Sequence, residues 1–163
     1  MERITNTHVF FWGYEFSNFY PCKFEYLGNS FSNSEQAFMS RKAAYFEDWV
    51  TFKKIIDEGK NPREAKKLGR QVKNFNADYW MEVCLDEMID VNMAKYSQNP
   101  DLKTLLLSTG NKTIVEASPE DTIWGIGLHA NDDRVLDEKQ WKGQNLLGKA
   151  LMEVRTKLQN NGK

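Results

Sequence analysis

The apolar run His8-Val9-Phe10-Phe11-Trp12 is short, continuous and stopped by Gly13, a pattern that predicts a buried strand. Lys23-Phe24-Glu25-Tyr26 alternates polar and apolar and then meets Leu27-Gly28-Asn29, which predicts a second strand and a turn. From Ser32 onward the period lengthens. Ser32-Asn33-Ser34-Glu35 has the spacing of a capping box, and the helix it opens should run to about Phe46. A second helix covers roughly Trp49 to Glu58. A third starts at Asn61-Pro62-Arg63-Glu64, with a cap, a proline at the first helical position and a reciprocal glutamate. The longest runs from about Asp78 to Tyr96. Trp80, Val83, Cys84, Leu85, Met88, Ile89, Val91 and Met93 leave it little polar face, which places it in the core. Asn99-Pro100-Asp101 opens a further helix closed by Gly110. Thr113 to Ala117 reads as a strand, and a last helix begins near Asn145 with Leu147, Leu151, Val154 and Leu158 at helical spacing. The expected class is α+β, mostly α: a compact single-domain helical bundle over residues 1–163 with a small β element near the N-terminus and around residue 115.

Composition narrows the function. The chain has 163 residues, with 40 % hydrophobic and 28 % charged side chains, so neither a disordered chain nor a membrane-spanning one is expected. With 22 basic and 23 acidic residues the formal net charge is -1, which argues against a surface that grips nucleic acid throughout. Two cysteines, Cys22 and Cys84, make no disulfide framework, and two histidines, His8 and His129, make no His-rich metal site. The opening Met1-Glu2-Arg3-Ile4-Thr5 is mixed and lacks an apolar signal core. A reduced, cytoplasmic protein without metal or cofactor is expected, its catalysis carried by carboxylates, lysines and aromatic rings.

Four segments mix residue types that folding alone would not bring together. In Trp12-Gly13-Tyr14-Glu15-Phe16-Ser17-Asn18-Phe19-Tyr20-Pro21, five rings surround one carboxylate and one amide. The rings would stack on a flat base while Glu15 and Asn18 bond its edge or a sugar, or the loop simply plugs the core. In Ser34 to Ala43, Glu35 and Lys42 are seven apart, hence about 20° apart around a helix and about 10.5 Å along it. That spacing suits two groups converging on a ligand. The stripe between them carries Phe38 and Met39, an apolar setting that shifts pKa values. Alternatively, Glu35 completes the capping box and Lys42 snorkels to water.

The third segment, Arg63 to Lys73, gathers Arg63, Lys66, Lys67, Arg70 and Lys73 beside an apolar face, with Gly69 allowing close approach. It is either a phosphate site or a solvated charged face; Arg70, next to the apolar face, is the candidate phosphate ligand. The fourth, Glu116 to Leu128, leads an acidic turn into Trp124 flanked by glycines that would let a ligand approach the backbone. Asp121 precedes Trp124 by three residues. Further on, Trp141-Lys142-Gly143-Gln144-Asn145 introduces the last helix, whose free amides would bind an anion, or Asn145 only caps it.

Taken together, Glu15-Phe16-Ser17-Asn18-Phe19-Tyr20-Pro21, Ser34-Glu35-Gln36-Ala37-Phe38-Met39, Lys42-Ala43, Ala65-Lys66-Lys67-Leu68-Gly69-Arg70, Ile123-Trp124-Gly125-Ile126-Gly127-Leu128 and Gly143-Gln144-Asn145-Leu146-Leu147-Gly148 resemble the YbiA-like, or NADAR (NAD and ADP-ribose), family from Phe11 to about Leu158. The resemblance implies a largely helical fold and N-glycosidase activity. Its implied substrates are riboflavin-pathway ribosylamino-pyrimidine phosphates, or ADP-ribosylated guanine, free or within nucleic acid. It implies no membrane and no obligate protein partner. Glu35 would be the central carboxylate and Asp121 the second acid or base. Lys42 would be either a charge partner or an imine-forming amine. Trp12, Glu15, Asn18, Arg70, Trp124 and Asn145 would hold substrate. The competing reading is a module that binds ADP-ribose or a nucleotide without cleaving it.

Overall fold

A computed structural model describes residues 3–161; Met1 and Glu2 of the mixed N-terminal segment, and the last two residues of the chain, lie outside it. The chain divides into two compact units. One combines the chain up to Ser17 with the chain from Pro100 onward, and the other is Asn18–Asn99.

The first unit carries β1 (Arg3–Ile4), β2 (His8–Phe11), α5 (Pro100–Ser108), β5 (Thr113–Glu116) and α6 (Leu146–Asn160). β1 pairs antiparallel with β2, and β2 pairs parallel with β5 in the register Val9↔Ile114 and Phe10↔Val115. The predicted strand at residue 8 ends at Phe11, one residue early, because Trp12 turns outward into solvent. Val9, Phe10 and Phe11 are all buried, as befits a central strand with both faces covered. Phe10, Val115, Ala117, Ile126, Leu128, Ala130 and Val135 form this unit's core, with Trp141 packed against it. Its indole N–H donates to Val135 O at 2.9 Å. α6 packs on β5 and α5 on α6.

The second unit holds β3 (Phe24–Tyr26), β4 (Asn29–Phe31), α1 (Ser34–Tyr45), α2 (Trp49–Glu58), α3 (Pro62–Gly69) and α4 (Ala77–Gln98). β3 and β4 form an antiparallel hairpin whose two-residue turn places Leu27 at φ 47° and Gly28 at φ 80°, the primed geometry that matches strand twist. α1 lies at the centre, packing against α2, α3 and α4. Phe24, Phe31, Ala37 and Val91 form one apolar cluster. A second is aromatic, with Phe38 and Tyr45 against Trp80 at ring separations of 5.3 and 5.8 Å.

Two expectations are corrected. The N-cap of α1 is Asn33, not Ser32: its side chain accepts the Gln36 N–H at 2.8 Å, and Gln36 Oε1 reaches back to the Ser32 N–H at 3.0 Å. The capping pair is therefore one residue downstream, and Gln36, not Glu35, fills the reciprocal role. α4 is buried on one stripe only. Trp80, Cys84, Met88, Val91, Lys95 and Tyr96 point inward, while Met81, Glu82, Asp86 and Asp90 are exposed. Its apolar residues outnumber the inward positions, so Val83, Leu85, Ile89 and Met93 are half-buried.

Candidate functional site

In the second unit three of the candidate residues meet. Glu35 sits in the first turn of α1, 8 % exposed, where the helix dipole favours a negative charge. Its N–H donates to Asn18 O at 3.0 Å, so residue 18 closes an otherwise open helix start. Capping of α1 is handled by Asn33 and Gln36.

Lys42 lies two turns further along α1, half-buried. Burial pushes its pKa below that of an ordinary lysine, the charge of Glu35 pulls it back up, and the charge of Arg70 pushes it down again. Its Nζ stands 4.3 Å from the centre of the Phe75 ring. Arg70 caps the C-terminus of α3, its N–H donating to Lys66 O and Lys67 O at 3.2 Å. The guanidinium is exposed and has no ion-pair partner among the described residues. Gly69 brings the end of α3 flat against α1: a Cβ there would overlap Met39 Sδ. The close approach expected of Gly69 is thus toward a helix. Of the other basic residues on α3, Lys67 pairs with Glu64 at 3.5 Å, and Lys66 stands 5.9 Å from the Phe19 ring.

Asn18 is 8 % exposed; its Nδ2 lies 3.3 Å from Met88 Sδ, and its Oδ1 is buried without a hydrogen-bond partner. A buried carboxamide oxygen left unpaired is costly.

Residues missed at the level of sequence are Phe75, Asp48 and the Arg41–Glu87 pair. Glu87 is 8 % exposed on α4 and accepts from Arg41 Nε at 2.9 Å. Their signals were weak: Phe75 looks like an isolated loop aromatic, and Asp48 like an ordinary helix cap ahead of Trp49.

The first unit holds the remaining candidates. Trp12 is 42 % exposed and meets His129 edge-on at 5.6 Å. Glu15 is half-buried beside the buried Phe16. Asp121 Oδ1 accepts from the N–H groups of Ile123 and Trp124 at 2.9 and 2.8 Å, so the carboxylate fixes the turn that presents the half-buried Trp124.

Two expectations about this region change. The amides at the start of α6 are not open to an anion: the N–H groups of Asn145, Leu146 and Leu147 donate to Gly125, Ile123 and Trp124 carbonyls at 3.1, 3.2 and 3.1 Å. Nor do the glycines open the backbone to a ligand. A Cβ on Gly143 would overlap Gly125 O and come within 2.7 Å of Thr122 Cα, because the two chain segments lie directly on each other. Asn145 stands in the N-cap position with φ 54° but makes no capping bond. Its Nδ2 donates to Ile114 O at 2.9 Å and its Oδ1 accepts from Glu116 N at 3.0 Å, so it stitches the helix start to β5.

Among the described residues no group of three or more His, Cys, Asp or Glu side chains is placed to hold a metal ion, and no helix is long and apolar enough to cross a membrane.

The molecule has relatives. N-glycosidase R617 of Acanthamoeba polyphaga mimivirus is 46 % identical over an alignment covering 93 % of this chain and 96 % of the relative. Riboflavin biosynthesis protein VVA0006 of Vibrio vulnificus is 28 % identical over 89 % of this chain, which spans only 35 % of that longer protein. The NMR structure of the Escherichia coli protein YbiA superposes with a TM-score of 0.79 at 27 % identity, covering 98 % of this chain and 89 % of that one. The NADAR domain family model matches residues 10–159, and the chain belongs to that family.

Proposed function

We propose that this protein is an N-glycosidase that breaks the bond between a phosphorylated ribose and the nitrogen of a base. The name of the mimiviral relative supports the reaction class. The observation that carries the reading is the grouping of Glu35, Lys42 and Arg70: a nearly buried carboxylate, a lysine of lowered pKa and a guanidinium with no ion-pair partner among the described residues. Arg70 matches the phosphate, as a planar fork of donors. Asn18, joined to Glu35 through its backbone carbonyl, is a candidate contact to the ribose. Glu35 stabilises positive charge at the anomeric carbon as the bond to the base weakens.

Of the two roles open to Lys42, its lowered pKa supports the amine, because more of it is neutral at a given pH. Glu35 takes the proton from the ammonium. The C1′–O4′ ring bond opens as the base nitrogen's lone pair forms a C1′=N bond and O4′ takes the proton from Glu35; the neutral amine then adds to C1′, its surplus proton passes through Glu35 to the base nitrogen, and the C1′–N bond to the base breaks to leave an imine on Lys42. Water then hydrolyses the imine, freeing ribose phosphate and regenerating the lysine. The first unit carries the other residues that the sequence marks: Trp12 and Trp124 have ring faces suited to stacking, and Glu15 is a half-buried carboxylate. Asp121 Oδ1 is committed to the turn before Trp124. Asn145 serves the scaffold.

For substrate, the name of the Vibrio relative and the near-neutral charge favour a ribosylamino-pyrimidine phosphate of the riboflavin pathway over ADP-ribosylated guanine. Free thiols at Cys22 and Cys84 fit a cytoplasmic setting. The test is incubation with each substrate followed by chromatography of the released base. Release from the pyrimidine compound is expected. Release from ADP-ribosylguanosine alone would reassign the substrate, and tight binding without release from either would make the protein a nucleotide-binding module.

A further inference from the structure

The cationic side of the site is formed by a non-helical stretch, residues 70–76, that joins α3 to α4. It supplies Arg70 at one end and Phe75 at the other, and both act on Lys42. Such a stretch has few hydrogen bonds of its own. Asn74 adopts φ 59°, a left-handed conformation that reverses the chain direction locally. Something else must hold it.

Asp48 does so. It lies between α1 and α2 and is 6 % exposed. Its Oδ1 accepts the Thr51 N–H at 3.0 Å and so caps α2. Its Oδ2 accepts the Lys73 N–H at 2.9 Å, in the middle of the 70–76 stretch. Its own N–H donates to Ala43 O at 3.0 Å, one residue past Lys42. One residue therefore ties together the helix that carries Lys42, the helix after it, and the stretch that carries Arg70 and Phe75. Phe46 reinforces the same junction, meeting the Phe75 ring edge-on at 5.3 Å. An ordinary helix cap needs one carboxylate oxygen; here the second is used on a separate segment, which capping does not explain.

We infer that Asp48 is a positioning residue for the N-glycosidase reaction, its second oxygen holding residues 70–76 so that Arg70 meets the substrate phosphate. The inference rests on the proposed reaction and deepens it: Asp48 touches no substrate, and it sets selectivity for the phosphorylated form. The Lys73 amide, then the Thr51 hydroxyl, with smaller help from the Thr51 amide and the Lys73 charge, outweigh burial and hold the Asp48 carboxyl below the usual carboxylate range.

Two variants separate positioning from capping. Asp48→Asn and Asp48→Ser both keep one oxygen for the Thr51 N–H, so α2 remains capped, and both lose the acceptor for Lys73. Steady-state kinetics are measured with a ribosylamino-pyrimidine 5′-phosphate and with its dephosphorylated counterpart, alongside thermal unfolding. Loss of a charge-assisted hydrogen bond predicts that KM for the phosphorylated substrate rises about tenfold, with kcat within about twofold. Parameters for the phosphate-free compound stay within about twofold of wild type, so discrimination between the two falls about tenfold. Asp48→Glu, which restores a second oxygen on a longer arm, recovers part of the discrimination. Equal losses on both substrates, or unchanged discrimination in a folded variant, would overturn the inference. If wild type releases no base from either compound, the proposed reaction fails instead. Binding of inorganic pyrophosphate, followed by the Lys73 amide resonance, then decides on Asp48: weaker binding in both variants supports the inference, and equal binding overturns it.

Discussion

Lys42 Nζ stands over the Phe75 ring at 4.3 Å, with Glu35 seven residues before it on the same helix and Arg70 opposing its charge from just past the end of α3. The ring face favours the ammonium and burial favours the neutral amine. Burial, the largest cause, outweighs the opposing charge of Glu35, so the group titrates below the ordinary lysine range. For an amine nucleophile, kcat/KM then climbs with pH toward a plateau whose midpoint lies below 10.5. Borohydride added during turnover traps a ribosyl adduct on Lys42, detectable by peptide mass spectrometry. Lys42→Arg keeps the charge, cannot form the imine, and loses about 10³-fold or more in rate. Activity near wild type in that variant, with no adduct, would return Lys42 to a charge-pairing role.

Glu35→Gln removes the charge and keeps the shape. A loss of order 10²-fold or more in kcat is expected from removing a preorganised electrostatic contact. Because Asn33 and Gln36 carry the capping, the melting temperature stays within a few degrees of wild type. Gln36→Ala behaves in the opposite way. It deletes the bond to Ser32 N–H and those to Ile55 O and Ile56 O at 3.0 and 3.2 Å, and costs about 2–3 kcal/mol in denaturant unfolding. Its activity per folded molecule stays closer to wild type than that of Glu35→Gln.

Asp48 also makes stability depend on acid. Its folded pKa is lowered from 3.8, so its contribution is complete above 3.8 and disappears as pH falls through the lower folded value. Asp48→Ala is expected to destabilise by about 2–3 kcal/mol at pH 7 through loss of the cap and of the Lys73 tie. Chemical denaturation at successive pH values shows the gap between variant and wild type narrowing below pH 3.8. A gap that stays constant down to pH 2 would contradict the assignment.

Asn145→Asp preserves volume and the acceptor for Glu116 N but replaces the donor to Ile114 O with an anionic oxygen. About 2–4 kcal/mol of stability is expected to be lost, since two acceptors then face each other in a site only 2 % exposed. Asn145→Gly, which accepts the positive φ, loses the two bonds without the repulsion and is the milder change. Urea midpoints rank the three proteins.

The elements were legible where the period was long or the turn chemistry strict. α2 falls on the predicted Trp49 to Glu58, and Asn61-Pro62 marks the start of α3 as the cap and the fixed φ of proline require. The parallel partnership of β2 with β5 was not legible, because strand pairing over a hundred residues leaves no local trace. The Asn33 cap was missed by one position, since Ser32, Asn33 and Ser34 are all good caps and only three-dimensional context chooses among them. At the site, Glu35 and Lys42 could be placed on one stripe by helix geometry, but Phe75 and Asp48 act through tertiary contacts that sequence spacing does not encode. The glycines around Trp124 misled for a related reason. A missing side chain signals close approach without saying whether a ligand or the chain's own backbone arrives.

The parallel pairing of β2 with β5 has a bearing on how the molecule forms. His8 must find Thr113 across an intervening loop that contains all of Asn18–Asn99, and the entropy of closing so long a loop opposes early pairing. Unit 2 depends on no such distant appointment, since its helices and hairpin find their partners within one continuous stretch. Once that stretch is collapsed, the two strand segments are tethered by a far shorter effective chain, so refolding kinetics should show helix signals from α1 to α4 rising before protection of the β2 amides.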